Sequence, residues 1–157
     1  MDKDIFAART EQLKPRLYRI ALLHMGSEAL ALDAVDEAIY KGFISVKKLR
    51  EPEYFETWMT RILINECKKS WRRINREQPL DTIPESAQEM FDSLPLKEAI
   101  RRLPQELREI VILRYFSGFT LVETARCLDI PQGTAATRQR RALQLLKLEL
   151  SDEEVQK

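Results

Sequence analysis

The sequence predicts an all-α fold of two small helical domains joined by a flexible acidic linker. Its 157 residues include only four glycines, apolar residues recur at three- and four-residue steps, and the alternation typical of strands is nearly absent. Residues 1–73 carry 14 basic and 11 acidic side chains, residues 74–95 carry one and five, and residues 96–157 carry 11 and nine. Two mildly basic blocks therefore flank an acidic connector, although the net charge is only +1.

The first two helices are predicted over residues 3–25 and 28–46. Pro15 should kink or restart the first helix, because proline lacks the backbone N–H and clashes with the preceding turn. Gly26 ends this helix, and Ser27 is a suitable N-cap for the second. The second helix presents one apolar face, formed by Leu30, Ala34, Val35, Ala38, Ile39 and Phe43.

A polar loop over residues 47–53 leads into a third helix over residues 53–73. Pro52 stands at the start of that helix, where the missing N–H does no harm. Residues 74–95 hold two internal prolines, five acidic residues and little periodicity. This stretch is therefore predicted to be an irregular linker.

The second domain is predicted over residues 96–150, and a charged tail follows over residues 151–157. A short helix begins at Pro95 and ends near Arg102. A longer helix is predicted over residues 104–116, and Gly118 stops it. Both helices begin at a proline, which is tolerated in the first helical position.

The next elements have the pattern of a helix-turn-helix. Thr120 and Glu123 have the spacing of a capping box, which predicts a helix over residues 121–128. Asp129 occupies the turn, where aspartate tolerates the left-handed conformation at some cost. A last helix is predicted over residues 131–150. A motif of this kind places its second helix in the major groove of DNA.

The last helix is rich in cations, and no acidic residue occurs between positions 130 and 148. Arginine offers a bidentate fork to guanine and binds phosphate strongly, and short hydroxyl donors suit a close approach to the DNA backbone. The alternative is a solvated basic face. The predicted contacts to duplex DNA are Thr134, Thr137, Arg138, Arg140 and Arg141, with Lys147 beyond them.

Cations and aromatic residues also alternate along the third helix. This pattern suits opened, single-stranded DNA, because bases stack on rings and the backbone follows positive charge. Asn65 has the chemistry to bind the edge of an unstacked base. The alternative is that both tryptophans, Trp58 and Trp71, belong to the core and the cations are solvated. The predicted contacts are Trp58, Arg61, Asn65, Lys68, Lys69, Arg72 and Arg73.

An acidic face on the second helix is formed by Asp33, Asp36 and Glu37. Only Lys41 lies at four-residue spacing, where it can pair with Glu37. The face is either solvated or a docking surface for another protein.

Signals for other chemistry are weak. The chain contains no nucleotide-binding loop or metalloprotease motif, and its single histidine, His24, is predicted to be a helix-end residue. Cys67 and Cys127 match no metal-ligand spacing and are predicted to be reduced thiols. The sequence predicts no enzyme, no cofactor and no metal. It also shows no signal-peptide core and no apolar run near the roughly 20 residues that span a bilayer, so we expect a cytoplasmic protein without membrane insertion.

Five blocks in order resemble the extracytoplasmic-function (ECF) sigma factors of the sigma-70 superfamily. No single block is decisive, but their order, their spacing and the linker between them are specific. The resemblance extends from about residue 10 to residue 148. The blocks are PRLYRIAL (15–22), DAVDEAIYKGF (33–43), FETWMTRILINECKKSWRR (55–73), RRLPQELREIVILRYFSGFT (101–120) and IPQGTAATRQRRALQLL (130–146).

The resemblance implies a protein that binds core RNA polymerase and directs it to promoter DNA. The first domain would melt and read the −10 element, and the second would read the −35 element as duplex. It further implies an anti-sigma factor, often membrane-anchored, as a partner that holds the protein inactive. The acidic linker resembles the segment that threads toward the active centre of the polymerase.

The resemblance also assigns roles to individual positions. The segment 33–37 matches the part that docks on the clamp helices of the largest polymerase subunit. Asn65 matches a position that helps to hold a flipped −10 base, and the loop 49–55 matches part of that pocket. The positions that match −35 contacts are Ala136, Thr137, Arg140 and Arg141.

Some residues depart from the family pattern. Ala136 stands where lysine or arginine is usual, and Ala135 replaces a usual valine. Gln139 stands where leucine or isoleucine packs under the last helix, so either that helix is looser or Gln139 faces the DNA and reads a base. Asp129 replaces a turn glycine, and Asp36 replaces a glutamine.

Two other functions fit part of the pattern. A stand-alone helix-turn-helix regulator shares the second half and predicts tight duplex binding without polymerase. A helical adaptor that binds polymerase without reading DNA predicts that the loss of Arg140 and Arg141 is harmless.

Overall fold

The computed structural model describes the backbone of residues 1–77 and 95–155 and the side chains of residues 1–74 and 96–147. Within these ranges every regular element is a helix or a helical turn, which confirms the all-α prediction. The described residues form two compact units, the first ending at residue 77 and the second starting at residue 95. The predicted linker lies, apart from its first four residues and its last, outside the described residues.

Three helices form the first unit: α1 (Lys3–Met25), α2 (Glu28–Ile44) and α3 (Phe55–Glu77). Each of them packs against the other two. Their shared core stabilises the unit by about 1.5–3 kcal/mol for each large apolar side chain that is fully buried. The largest of these side chains are Phe55, Leu17, Ile20, Met59, Leu63 and Ile64.

The ends of α1 and α2 follow from local sequence. The Asp2 carboxylate accepts a hydrogen bond from the Asp4 amide over 3.1 Å and caps α1. Gly26 ends α1 at φ 66°, a conformation that glycine adopts without steric cost. The Ser27 hydroxyl then accepts from the Leu30 amide over 3.4 Å, so the predicted stop and cap are confirmed.

The predicted restart at Pro15 does not occur, because α1 continues through this residue. Pro15 itself is exposed, while Leu13 and Leu17 on either side of it are buried in the core. A proline inside a helix costs about 3 kcal/mol, and the burial of these two leucines offsets a loss of that size.

Three further predictions about the first unit differ from the structure. Helix α2 ends at Ile44, two residues earlier than predicted, and Phe43 near its end is 40% exposed while its ring packs edge-to-face on Phe6. The polar loop contains two short 3₁₀ turns, Val46–Lys48 and Pro52–Tyr54. Helix α3 continues to Glu77, four residues into the predicted linker.

The second unit contains four α-helices and one wide turn among its described residues. The helices are α4 (Pro95–Arg102), α5 (Gln105–Val111), α6 (Leu121–Leu128) and α7 (Gln132–Val155), and a π-turn (Ile112–Phe116) extends α5. Helix α7 packs against each of the other three helices and is therefore the centre of the unit. The predicted last helix is five residues too short at its C-terminal end.

The helix predicted over residues 104–116 is only partly regular. Pro104 is its N-cap, and the final turn widens so that the Ser117 amide donates to the Ile112 carbonyl over 3.0 Å. The π-turn keeps Ile112 buried and leaves Tyr115 50% exposed. Such single wide turns occur often at functional sites.

Candidate nucleic-acid and protein-docking surfaces

Helices α6 and α7 form the predicted helix-turn-helix. The Glu123 amide donates to the Thr120 hydroxyl over 3.1 Å, and the Thr120 amide donates to the Glu123 carboxylate over 2.9 Å. These two bonds are the reciprocal pair of a capping box, as the spacing predicts. The N-terminus of α6 is therefore fixed by its own sequence.

The turn between α6 and α7 is also built by local bonds. Asp129 adopts the left-handed conformation with φ 57° and ψ 48°, as predicted. The Ile130 amide donates to the Ala125 carbonyl over 3.0 Å, and the Asp129 amide donates to the Arg126 carbonyl over 3.2 Å. This pair of bonds is a Schellman motif, which ends α6 and redirects the chain into α7.

Two alanines, Ala125 and Ala135, allow the helices of the motif to approach closely. Ile110, Ala125 and Ala135 form a buried cluster, and Ala135 is fully buried. Partly buried residues close the cluster at its edges, namely Leu121, Leu128 and Ile130. Ala135, which replaces a usual valine, therefore lies at a close contact between α5, α6 and α7.

The opposite face of α7 is open to solvent. Thr137, Arg140 and Arg141 are exposed at three- and four-residue spacing, so they share one face of the helix. Thr134 and Ala136 are half-buried at the two edges of this face. The structure thus brings five of the predicted duplex contacts together, and we call this set of five the outer face of α7.

Two neighbouring residues turn inward instead. The Arg138 guanidinium is 3.8 Å from the Glu106 carboxylate on α5, and its side chain is only 28% exposed. Gln139 is half-buried, and its side-chain oxygen accepts a hydrogen bond from Arg114 Nε over 2.8 Å. Gln139 therefore packs under α7 through a polar contact and lies outside the outer face.

Arg114 is a site residue that the sequence prediction missed. Besides Gln139, it binds the Phe119 carbonyl through Nη1 over 2.7 Å. It therefore ties the π-turn and the segment before α6 to α7. The sequence feature that could have indicated this role is the position of Arg114 as a single cation within the apolar run IVILRYF.

The predicted single-strand contacts lie on α3. Trp58, Arg61, Asn65, Lys68 and Arg72 follow steps of three and four residues, which places them in one stripe along the helix. Trp58 and Lys68 are half-buried, and the other three are exposed. We call these five residues the α3 stripe.

Trp71 has a structural role, in line with the alternative that the tryptophans of this helix serve the core and not DNA binding. Its indole N–H donates to the backbone carbonyl of His24 over 3.1 Å. His24 lies in the last turn of α1, where its side chain is buried. Trp71 therefore fastens α3 to the end of α1. Trp58 differs, because its ring packs obliquely on Phe55 at the edge of the core, with the ring centroids 6.1 Å apart.

The acidic face of α2 borders a cleft of about 670 Å³ between α2 and α3. Asp33, Asp36 and Glu37 are all exposed there. Lys69 and Arg73 line the same cleft, so these two predicted DNA contacts lie at the edge of the α3 stripe nearest the acids. Together with Glu66, these side chains form what we call the acidic cleft.

Lys41 does not form the predicted pair with Glu37. Its ammonium group bonds to the Glu66 carboxylate on α3, and Lys69 approaches the same oxygen to 3.6 Å. The Glu66 side chain is 9% exposed, so it is a stronger partner than a solvated carboxylate. This hydrogen bond raises the pKa of Lys41 above its usual value.

A second cleft, of about 300 Å³, lies between α1 and the start of α3. Arg9 donates to the Pro52 carbonyl over 2.6 Å, and its guanidinium lies 4.7 Å from the centre of the Phe55 ring. Arg16 forms an ion pair with Glu56. The sequence prediction missed this group, although its arginines follow α1 at helical spacing.

None of the helices in residues 1–77 and 95–155 combines the length and the apolar character that crossing a bilayer requires.

Comparison with known proteins identifies the family. The model for Sigma-70 region 2 matches residues 10–77, and the model for Sigma-70, region 4 matches residues 99–148. RNA polymerase sigma factor SigV of Bacillus subtilis is 29% identical over 147 residues, covering 90% of this chain and 89% of that protein. ECF RNA polymerase sigma factor SigW of the same species is 25% identical over 171 residues, covering 96% and 91%.

Solved structures show the same fold. Sigma factor RpoE of Bartonella quintana, crystallised with the anti-sigma factor NepR, has a TM-score of 0.78 at 22% identity and covers 96% of this chain and 98% of its own. CnrH, in complex with the cytosolic domain of CnrY, has a TM-score of 0.77 at 18% identity, with 96% and 90% coverage. With both regional models matched in order along one chain, this protein belongs to the sigma-70 family, among its extracytoplasmic-function sigma factors.

Proposed function

We propose that this chain binds core RNA polymerase and directs it to specific promoters, with the first unit serving the −10 element and the second the −35 element. The observation that carries this proposal is the presence of two different nucleic-acid surfaces on separate units. The α3 stripe mixes an aromatic ring, an amide and cations, which suits an opened strand. The outer face of α7 belongs to a helix-turn-helix, which suits duplex DNA.

The energetics favour a subunit over a freestanding DNA-binding protein. Opening a duplex disrupts stacking worth about 1.4 kcal/mol per base-pair step, and a three-helix unit offers few contacts to replace it. Unspecific DNA affinity comes from neutralised phosphates, and a net charge of +1 supplies little of it. Polymerase therefore has to hold the strands while the sigma factor reads them.

The acidic cleft is the proposed docking site for polymerase. Four carboxylates line it against two cations, so it attracts a basic helical surface. Asp33, Asp36 and Glu37 are the residues proposed to dock, which agrees with the role that the family assigns to this segment. Lys69 and Arg73 then bind DNA at the border of the polymerase contact.

The residues proposed to contact DNA make different kinds of contact. On α3, Trp58 offers a stacking surface, Asn65 binds the edge of an unstacked base, and the stripe cations bind the backbone. On α7, Thr137, Arg140 and Arg141 read the −35 element. Ala136 offers only a methyl group to the duplex. Arg138 is a weaker candidate than Arg140, because its guanidinium already faces Glu106.

Control by an anti-sigma factor is part of the proposal. RpoE and CnrH were both solved with an anti-sigma partner or a fragment of a partner protein. We infer that a protein of the same kind binds this chain and blocks its access to polymerase.

In vitro transcription tests the proposal directly. The purified chain is added to core polymerase on a library of promoter fragments, and the transcript starts are mapped. We expect defined starts with shared upstream sequences at −10 and −35. Tight duplex binding without polymerase would favour a stand-alone regulator, and polymerase binding without start-site selection would favour an adaptor.

A further inference from the structure

We propose that the cleft between α1 and α3 is a binding site for the sugar-phosphate backbone of the opened promoter strand, where the strand leaves the α3 stripe. This inference rests on the proposed sigma-factor function and extends it to a helix that has no assigned DNA contact. We call the site the arginine cleft, and its polar and aromatic lining is formed by Arg9, Gln12, Arg16, Arg19, Phe55 and Glu56.

The charge of the arginine cleft favours an anion. Three arginines face a single glutamate, and Gln12 adds a neutral donor. Its opposite is the acidic cleft on the same unit, where carboxylates outnumber cations. A DNA strand near this unit is therefore attracted more strongly to the arginine cleft than to the acidic cleft.

Arg9 is held in place before any ligand arrives. The two partners of Arg9 are the Pro52 carbonyl and the Phe55 ring, and both are neutral. Arg9 therefore keeps its full positive charge while its side chain is fixed, which lowers the entropy lost on binding. Arg19 is exposed at the mouth of the cleft, where it is accessible to phosphate.

The arginine cleft borders the Trp58 end of the α3 stripe, and the two are connected through the ring of Phe55, which is itself buried. The Phe55 ring contacts Arg9 on one side and the Trp58 ring on the other. From Arg72 to Trp58 the stripe is about 21 Å long at 1.5 Å per residue, and the arginine cleft lies beyond its Trp58 end. A strand that stacks on Trp58 therefore reaches the arginines with its next phosphates.

Single-strand sites commonly combine a basic groove with aromatic stacking surfaces, and this combination favours a DNA strand over an acidic protein segment. An acidic segment would satisfy the arginines but would gain nothing from the partly exposed ring of Trp58 beside them. The two ligands are distinguished by the experiment below.

The test measures binding of dye-labelled, single-stranded oligonucleotides to the complex of sigma factor and core polymerase. The sequences come from the non-template strand of a promoter mapped by its transcript start. A short probe contains the −10 element alone, and longer probes extend it by several nucleotides on either side. The test variant is Gln12→Ala with Arg19→Ala, and the matched control is Lys14→Ala, which removes one positive charge from a different face of α1.

We expect the double variant to bind one of the long probes about tenfold more weakly than wild type and the short probe equally well. For that long probe, the slope of log affinity against log salt should fall by about 0.7, the value for one lost phosphate contact on a single strand. Lys14→Ala should match wild type with every probe. Equal thermal unfolding midpoints would exclude a folding defect.

Other outcomes overturn the inference in distinguishable ways. If wild type binds the short probe but the double variant binds every probe normally, the arginine cleft does not contact DNA and the sigma-factor function stands. If the double variant binds every DNA probe normally but binds a labelled oligoglutamate peptide more weakly than wild type, the cleft belongs to an acidic protein segment. If wild type binds none of the probes, the proposed function fails together with the inference.

Discussion

Gln139 shows how a polar residue can replace an apolar contact under a DNA-reading helix. Its side-chain oxygen accepts from Arg114, and Arg114 in turn binds the Phe119 carbonyl. The resulting chain of bonds spans the π-turn, the segment before α6 and α7. The sequence left two alternatives for Gln139, a looser helix or a base contact, and its bond to Arg114 adds a third role, a polar contact under α7.

Replacing Gln139 tests this contact. We expect Gln139→Ala to destabilise the second unit by about 1–3 kcal/mol, because the half-buried Arg114 loses an acceptor. Hydrogen exchange of the amides in α5 and α7 measures the loss in the second unit alone. Gln144→Ala, an exposed change on the same helix, should have no effect. Equal exchange rates in the two variants would contradict the structural role of Gln139.

Asn65 gives a second prediction for a single residue. Because Asn65 is exposed, we expect Asn65→Ala to leave the fold and polymerase affinity unchanged. Promoter opening should become about tenfold less favourable through loss of one base-edge contact. A fluorescent base analogue within the −10 element reports the opening. If polymerase affinity falls before opening does, the role assigned to Asn65 is wrong.

Single-residue features were predictable where their partners are close in sequence. The capping box of Thr120 and Glu123 and the left-handed Asp129 both follow from neighbours within the same turn. The Lys41–Glu66 and Arg114–Gln139 contacts each join residues 25 positions apart. Sequence spacing says nothing about such pairs, because helix packing decides which side chains meet.

Helices α2 and α3 are joined by a buried carboxylate with two cations around it. Glu66 belongs to α3, yet it pairs with Lys41 on α2 and with Lys69 on its own helix. The proposed polymerase-docking face and the proposed single-strand stripe are thus carried by two helices that share one ion-pair group. A change at Glu66 should therefore affect both helices together.

The pH dependence of stability tests this junction. The folded pKa of Lys41 is raised above 10.5, so the ion pair contributes fully below about pH 10.5 and its contribution is lost as the pH rises through the raised pKa. We expect Glu66→Gln to be less stable than wild type at pH 8 and to lose less stability on the way to about pH 11.5. Both tryptophans lie in the first unit, so their fluorescence follows its unfolding.

A matched control is available in the loop before α3. Glu53→Gln removes the charge of an exposed carboxylate and should reproduce the alkaline profile of wild type. If Glu66→Gln and wild type lose the same stability over this pH range, Lys41 does not depend on Glu66.

The elements themselves were predictable from periodicity, but their ends were less so. Helices α1 and α2 were placed correctly at Gly26 and Ser27, because these residues have strong local preferences. The restart predicted at Pro15 was wrong, because burial of the flanking leucines outweighs the cost of one proline. The π-turn was missed because the residues within it have an ordinary helical pattern.

Over the whole molecule, the local charge of each surface is more informative than the net charge. The chain is nearly neutral, yet the first unit carries an acidic cleft and an arginine cleft with opposite preferences. This arrangement suits a subunit that binds a basic protein surface and a DNA strand at the same time. The composition predicted the uneven charge along the chain, but the opposed clefts require the packing of α1 and α2 against α3.

Charge reversal in the acidic cleft gives the prediction for the complete protein. We expect Asp33→Lys with Glu37→Lys to abolish binding to core polymerase, because like charges would then face its basic surface. Both residues are exposed, so the helical circular dichroism spectrum should not change. Glu51→Lys with Glu53→Lys makes the same change in net charge on another exposed segment and should bind normally. An unaffected pull-down with the first variant would reject the docking assignment.

The division of α7 into an inward and an outward side has a consequence for how such a protein can change. Ala135 and Ala142 are fully buried, while Thr137, Arg140 and Arg141 are exposed. Substitutions on the outward side therefore leave the interior of the unit untouched. New promoter preferences can therefore arise, by natural drift or in the laboratory, without loss of the folded second unit.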